Sequence, residues 1–381
     1  MFTENSPEST TQVHVQCSQI ESLEAFVAFT EKQVQEAPGV LDEQGFVVQG
    51  LDLCAFEDGL LSRGWERFTF LGCRFSEASS MHISASGGTI FPPFDGIPYN
   101  PYRGCLYTSA ELAENDLDTR IYEHQAEHRR KKRKPILESL AQRIHDHAVD
   151  DALEAYLRRF DRVVAIMGGH SLQRDEQTYR SVALVARSLT RAGYHVVTGG
   201  GPGAMEAGNL GAWLAPHPDE AIDTAIAALA AATDYSTEAY AVAAQEVVAA
   251  FPHGAESLAI PTWFYGHEPT NQFATAVAKY FSNSIREDGL LAIATHGVVY
   301  TPGAAGTVQE VFMDATQNHY QTFEVISPMV FVDSEFWADD GLSAPRLLRQ
   351  LAGDRPYGEM IAVLDDPDDV VSFIESNPPR S

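Results

Sequence analysis

From residue 162 onward, short apolar runs alternate with stretches of helical period. Arg162-Val163-Val164-Ala165-Ile166-Met167 reads as a strand and stops at Gly168-Gly169-His170-Ser171. Val182, Leu184, Val185, Leu189 and Ala192 then recur on one helical face. Tyr194-His195-Val196-Val197-Thr198 is the next strand, ending in Gly199-Gly200-Gly201-Pro202-Gly203, and a helix starts at Ala204-Met205-Glu206. An alanine-rich helical insertion at about 216–250 follows, then strand material at Ser257–Pro261 and a helix-like segment from Phe273 to Ile285. Val298-Val299-Tyr300 leads into Thr301-Pro302-Gly303-Ala304-Ala305-Gly306-Thr307, and a helix is expected from Val308 to about Tyr320. Pro328-Met329-Val330-Phe331-Val332 is the last clear strand, with a helical portion after it. This order predicts an α/β fold, a doubly wound parallel sheet of Rossmann-like type over 161–381.

The first half is less regular. Residues 1–12 are polar and aperiodic and are expected to be a disordered tail. Leu23, Phe26, Val27 and Phe29 suggest a short helix, and Phe46-Val47-Val48 and Phe68-Thr69-Phe70-Leu71 suggest strands. Gly87-Gly88, Pro92-Pro93 and Pro98-Tyr99-Asn100-Pro101 mark loops, so 13–113 reads as an N-terminal α+β extension without a catalytic constellation. From about Ala110 to Arg159 the composition is helical, with a break at Pro135; residues 114–160 form a helical connector.

Composition narrows the class. The 381 residues are 44% hydrophobic and 21% charged, an ordinary globular balance. No apolar run approaches the roughly 20 residues of a membrane helix. Met1 to Thr11 has no basic segment of a secretory signal, and Cys17, Cys54, Cys73 and Cys105 lack metal-ligand spacing, so a reduced, cytoplasmic protein is expected. With 26 basic against 53 acidic side chains the net charge is −27, which opposes stable nucleic-acid binding. Arg129-Arg130-Lys131-Lys132-Arg133-Lys134 reverses the sign locally. A solvated helix end or connector is one reading of this run; a polyanion or regulatory-nucleotide contact is the other.

Three glycine turns at strand ends carry the candidate chemistry. Glycine lets backbone N–H groups surround an anion, and each following helix adds about half a positive charge at its N-terminus. The nucleotide-binding set is Gly168, Gly169, His170, Ser171, Gly200, Gly201, Gly203, Met205, Gly303, Ala304, Ala305, Gly306 and Thr307. Neither the dinucleotide fingerprint nor a P-loop is present, which leaves a phosphate ester held by backbone and dipole, without a metal or cofactor. Thr307 and Glu310 have capping-box spacing, in which Glu310 only satisfies a backbone N–H; the functional alternative sets its carboxylate beside a bound ribose. Asn209 is expected at the surface, with a reach to base or ribose as the alternative; His267, His296 and His319 are expected as surface or packing residues, and Phe264-Tyr265 in the core, with stacking on a base as the alternative.

Gly201-Pro202-Gly203-Ala204-Met205-Glu206-Ala207 together with Pro302-Gly303-Ala304-Ala305-Gly306-Thr307-Val308-Gln309-Glu310 resembles the Lonely-Guy superfamily, once mislabelled as lysine decarboxylases. The form is more similar to the bacterial pyrimidine/purine nucleotide 5′-monophosphate nucleosidase branch than to the cytokinin-activating branch. The resemblance spans about 162–332 and does not reach 1–150. It implies a phosphoribohydrolase that splits a nucleoside 5′-monophosphate into free base and ribose 5-phosphate, and a homo-oligomer, dimer or tetramer. It also implies that Arg286 and Glu310 are the catalytic couple and that Gly303, Gly306 and Thr307 hold phosphate. Ala304 stands where the family has a second glycine; if that position needs a positive φ, alanine costs on the order of 1 kcal/mol and turns an N–H away from phosphate. A non-catalytic nucleotide sensor or carrier on the same fold is the alternative. A DNA-processing relative is opposed by the charge, and a decarboxylase by the missing pyridoxal phosphate lysine context.

Overall fold

The computed structural model describes residues 18–20, 22–28, 45–131, 135–266, 269–338 and 341–380. The expected tail at 1–12, Cys17, His267 and Lys132-Arg133-Lys134 lie outside the described residues. The chain divides into two compact units, Met1–Gly104 and Cys105–Ser381.

In the first unit, β1 (Ser18–Ile20), β2 (Phe46–Gln49), β3 (Phe68–Leu71) and β4 (Thr89–Phe91) form a parallel sheet in the order β1-β2-β3-β4. Phe46, Val48, Phe68 and Phe70 alternate onto one face and pack with Leu60, Trp65 and Ile83. The extension is thus built like the second unit, from parallel strands with helices Glu57–Leu61 and Glu77–Ala85 between them. β4 escapes the sequence pattern because it is short and its Thr89 and Phe91 are exposed at the sheet edge.

The second unit holds a seven-stranded parallel sheet in the order β11-β10-β9-β5-β6-β7-β8. Its strands are β5 (Val163–Met167), β6 (His195–Thr198), β7 (Leu258–Ala259), β8 (Ala276–Val277), β9 (Val298–Tyr300), β10 (Met329–Val332) and β11 (Ile361–Leu364). The chain winds outward from β5 through β6, β7 and β8, then returns to place β9 on the other side of β5. This is the doubly wound, Rossmann-like topology, and its switch point lies between β5 and β9. Both faces of the central strands are covered, so they read as continuous apolar runs. On one face Val164, Ile166, Val196, Val299, Val330 and Val332 pack with Tyr179, Val182, Val185 and Leu189 of helix Gln177–Arg191 and with Leu210 of helix Ala204–Trp213.

Two stretches depart from the expected elements. The segment from Phe273 to Ile285 is not helical at its start: it carries β8, and the helix begins only at Asn283 and runs to Ile293. Remote partners impose the extended form, since Ala278 N–H donates to Ala259 O at 2.9 Å and Val277 exchanges two backbone bonds with Tyr107. The C-terminal portion contains the edge strand β11 besides helices Ala344–Ala352 and Pro367–Ser376. The alanine-rich insertion folds as helices Glu220–Leu229 and Glu238–Ala250.

A buried ion pair ties this insertion to the second glycine turn. Arg174 donates to Glu206 through Nε at 2.9 Å and Nη2 at 2.6 Å, and the hydroxyls of Tyr179 and Tyr240 donate to the same carboxylate at 2.9 and 2.7 Å. Removing one partner of such a pair leaves a bare buried charge. Arg174→Met is therefore expected to lower unfolding free energy by about 3–5 kcal/mol in urea denaturation, and Glu206→Gln, which leaves the buried Arg174 guanidinium without its counter-charge, by a comparable amount.

Candidate functional site

Parallel register brings the ends of β5, β6 and β9 level. Met167 stands opposite Tyr300, and Ile166 opposite Thr198, so the three glycine turns leave the sheet side by side. Backbone bonds then stitch them together: Thr301 N–H to Met167 O at 2.9 Å, Gly169 N–H to Pro302 O at 2.9 Å, Ala204 N–H to Gly169 O at 3.1 Å. The fit excludes side chains, because a Cβ on Gly168 would stand 1.9 Å from Thr301 Oγ1 and 2.6 Å from Ala204 Cβ. Gly200 and Gly203 add positive φ values of 77° and 71° that let the second turn curl.

A cleft of about 350 Å³ opens at these turns. Of the residues expected at the site, Gly168, Gly169, His170, Met205, Arg286, Ala304, Ala305, Gly306, Thr307 and Glu310 line it. Ser171, Gly200, Gly201, Gly203 and Gly303 are not in its wall. Gly303 instead makes room for a side chain, since a Cβ there would lie 2.1 Å from Thr307 Oγ1.

The helix after the third turn runs Ala305–Tyr320, three residues earlier than the expected start at Val308. Its N-cap is Ala304, and no side chain caps it. The capping-box reading of Thr307 and Glu310 is therefore overturned: Thr307 sits inside the first turn, and the Glu310 carboxylate turns to Arg286. Ala304 has φ −105°, ordinary for any L-residue, so alanine at this position carries no backbone strain. Ala305, Gly306 and Thr307, the first residues of this uncapped helix, line the cleft, and a helix start of this kind offers unpaired N–H groups and a positive dipole end.

Arg286 comes from helix Asn283–Ile293. Its Nε donates to Ile260 O at 2.9 Å, and its Nη1 lies 3.3 Å from Glu310 Oε1; each side chain is 12% exposed. Gly199 permits this approach, because a Cβ there would meet Arg286 Nη2 at 2.5 Å and Met205 Sδ at 2.7 Å. Burial pushes the Glu310 carboxyl above the usual range; Arg286 opposes the shift and the nearby Glu287 carboxylate adds to it. One helical turn deeper, burial raises Asp314 to about 7 even though Tyr300 O–H donates to it at 2.8 Å.

Several side chains stand elsewhere than expected. Asn209 is not at the surface: it is fully buried, accepts from Thr198 Oγ1 at 2.6 Å and from Asn271 Nδ2 at 2.9 Å, and donates to Ser257 Oγ. Helix Ala204–Trp213 lies flat on the sheet, so even its polar residues are covered and must be satisfied internally. Phe264 and Tyr265 are not core residues but 46% and 63% exposed. Tyr265 lines the cleft, accepting from Asn283 Nδ2 at 2.8 Å and donating to Glu287 Oε1 at 3.3 Å. Thr262, Gly266 and Glu287 are wall residues that sequence reasoning missed, and Tyr265 takes the alternative place beside the cleft rather than in the core. His296 packs near Tyr194 and His319 near Tyr357, both away from the cleft. Of the basic run, Arg129 and Arg130 end helix Leu117–Arg130, and Arg129 donates to the carbonyls of Trp263, at 2.7 Å, and Phe264.

No known protein family and no curated protein matches this sequence. Solved structures that it resembles include the molybdenum cofactor binding protein from the phototrophic bacterium Rippkaea orientalis, at 12% identity and TM-score 0.37, covering 56% of this chain and 96% of that one. The molybdenum cofactor carrier protein from Chlamydomonas reinhardtii matches at 13% identity and TM-score 0.36, with the same coverage. The structural-genomics target TM1055 matches at 17% identity and TM-score 0.36, covering 56% of this chain and 99% of that one. Likeness of this degree adds nothing to what the strand order already shows about the fold.

Asp314 makes the site's helix sensitive to pH. Its folded pKa of about 7 lies above its ordinary value of 3.8, so the folded state favours the protonated acid. The stabilisation is complete below the ordinary value and is lost as pH rises toward about 7. The Asp314→Asn substitution is expected to flatten that fall, so the variant's melting temperature should gain on the wild type between about pH 4 and pH 7; parallel curves would refute the assignment.

Proposed function

We propose that the protein hydrolyses the N-glycosidic bond of a nucleoside 5′-monophosphate, releasing free base and ribose 5-phosphate. The observation that carries this reading is the Arg286–Glu310 pair, 3.3 Å apart in the wall of the same cleft that the uncapped helix N-terminus enters. The motif resemblance to Lonely-Guy phosphoribohydrolases supports it, on the residues that the cleft brings together.

The phosphate docks on the first-turn N–H groups from Ala305 to Thr307, and its binding energy holds the ribose against Glu310. The bond between C1′ and the base nitrogen breaks with its electron pair left on nitrogen, and positive charge develops at C1′ and the ring oxygen. The Glu310 carboxylate stabilises that charge. A water oxygen then bonds C1′, its proton passing through Glu310 to the departing base. Arg286 holds the carboxylate in place by charge and favours its ionised form against burial. Met205 and Tyr265 offer a thioether and an exposed ring at the wall, surfaces suited to the flat face of a base.

Incubation with a panel of nucleoside monophosphates, read as free base, tests the reading. Glu310→Gln is expected to lose base release by about 10²-fold or more while still binding the monophosphate. Wild-type release should fall on the acid side at a pH above that of an ordinary glutamate, because the raised pKa protonates Glu310 earlier. Wild-type protein that binds monophosphates and frees no base would replace the hydrolase with the sensor or carrier.

A further inference from the structure

Away from the cleft residues stands a second group of chemically competent side chains. His124 and His128 are four apart on helix Leu117–Arg130, the spacing that puts two imidazoles on one helical face. Their ring centroids are 4.8 Å apart. Glu138 reaches them from the first turn of helix Ile136–Leu157, its Oε2 3.0 Å from His124 Nε2. One donor atom from each of the three residues can be chosen so that all lie within 4.8 Å of one another. The histidines singled out from the sequence are others, although His-x-x-x-His on a helix is legible as it stands.

We propose that His124, His128 and Glu138 bind a divalent transition cation of the zinc class. Two imidazole nitrogens and one carboxylate are a ligand set that Zn²⁺ takes with a fourth position left open. Tetrahedral bonds of about 2.0–2.2 Å set ligand atoms about 3.4 Å apart. The His124–Glu138 pair already stands near that separation, and a donor atom of His128 lies within 4.8 Å of both. The carboxylate is held for the purpose: Glu138 is 5% exposed, and its other oxygen accepts from Gln142 Nε2 at 2.8 Å, the outer contact that fixes a ligand's orientation. Access is built in as well. His128 and Gln142 line a cavity of about 790 Å³, through which an ion and a fourth ligand can arrive.

The test uses the full-length protein, stripped with a chelator and titrated calorimetrically with Zn²⁺, and with Co²⁺ as a visible-spectrum probe. One equivalent should bind, and Co²⁺ should develop the absorption of a low-coordinate histidine site. His128→Ala and Glu138→Gln should each weaken binding at least about tenfold, and Gln142→Ala by about 10–100-fold. Glu310→Gln should bind the ion unchanged, so this result stands apart from the hydrolase assay. Circular dichroism of the metal-free variants separates a lost ligand from a lost fold, and if one variant does not fold the other carries the comparison. Absence of saturable binding by the wild type, or equal affinity in wild type, His128→Ala and Glu138→Gln, would overturn the proposal.

Discussion

At the carboxyl end of β5 the polypeptide has no space for a side chain, and the site follows from that crowding. Gly168 is pressed between Thr301 and Ala204, which lie in the two neighbouring strand-to-helix connections. Because the three turns share backbone bonds, none of them can shift alone. The turn after β9 must then deliver its helix start at Ala305 directly over the switch point, with its dipole aimed into the cleft. Arg286 can reach that helix only because Gly199, in the adjacent turn, is equally bare. Remove the glycines and the pair of charges has no geometry.

Two of the unit's arginine–glutamate pairs, Arg174–Glu206 and Arg286–Glu310, are largely buried, and their difference separates scaffold from site. Glu206 receives both nitrogens of the Arg174 fork and two tyrosine hydroxyls, and is 3% exposed. Such a carboxylate has its acceptor capacity used and can do nothing further. Glu310 receives a single long contact from Arg286 and faces a cleft. Burial already works against its ionised form, and its remaining lone pairs are open to a positive centre or a water. A charge left partly unsatisfied beside an uncapped helix start in a cleft is costly to keep, which is the physical reason for treating it as functional.

Much of this was legible because it is local. Runs such as Val163–Met167 and Val298–Tyr300, buried on both faces, announce central parallel strands whatever their neighbours are, and the glycine turns that follow them need no remote information. What stayed hidden depended on distant partners. β8 is two residues long and owes its extended form to Ala259 and Tyr107; Asn209 looks like a surface amide until Thr198, Ser257 and Asn271 are seen to enclose it. The Thr307–Glu310 spacing matched a capping box well, yet the start of the helix was decided by the stitched turn, two residues ahead of Thr307. Spacing along the chain cannot distinguish a carboxylate that bonds its own helix from one drawn to an arginine on the next.

The exposed pair Phe264-Tyr265 shows how the cleft and the larger cavity come to share a wall. Arg129, one residue from His128, donates to the carbonyls of Trp263 and Phe264 and sets its guanidinium 5.2 Å over the Phe264 ring. Trp263 is fixed from below by Asp118, which also holds the Lys279 ammonium at 2.8 Å. Burial raises the Asp118 carboxyl, but Lys279 and its hydrogen-bond donors override it and keep it ionised. The aromatic strap is therefore anchored at its base while Tyr265 at its tip bonds Glu287 and Asn283. Glu287 lines both the cleft at the glycine turns and the cavity beside His128. Its carboxylate accepts from Tyr265 and from Gln309 Nε2 at 2.9 Å and, by repulsion, adds to the upward shift of Glu310.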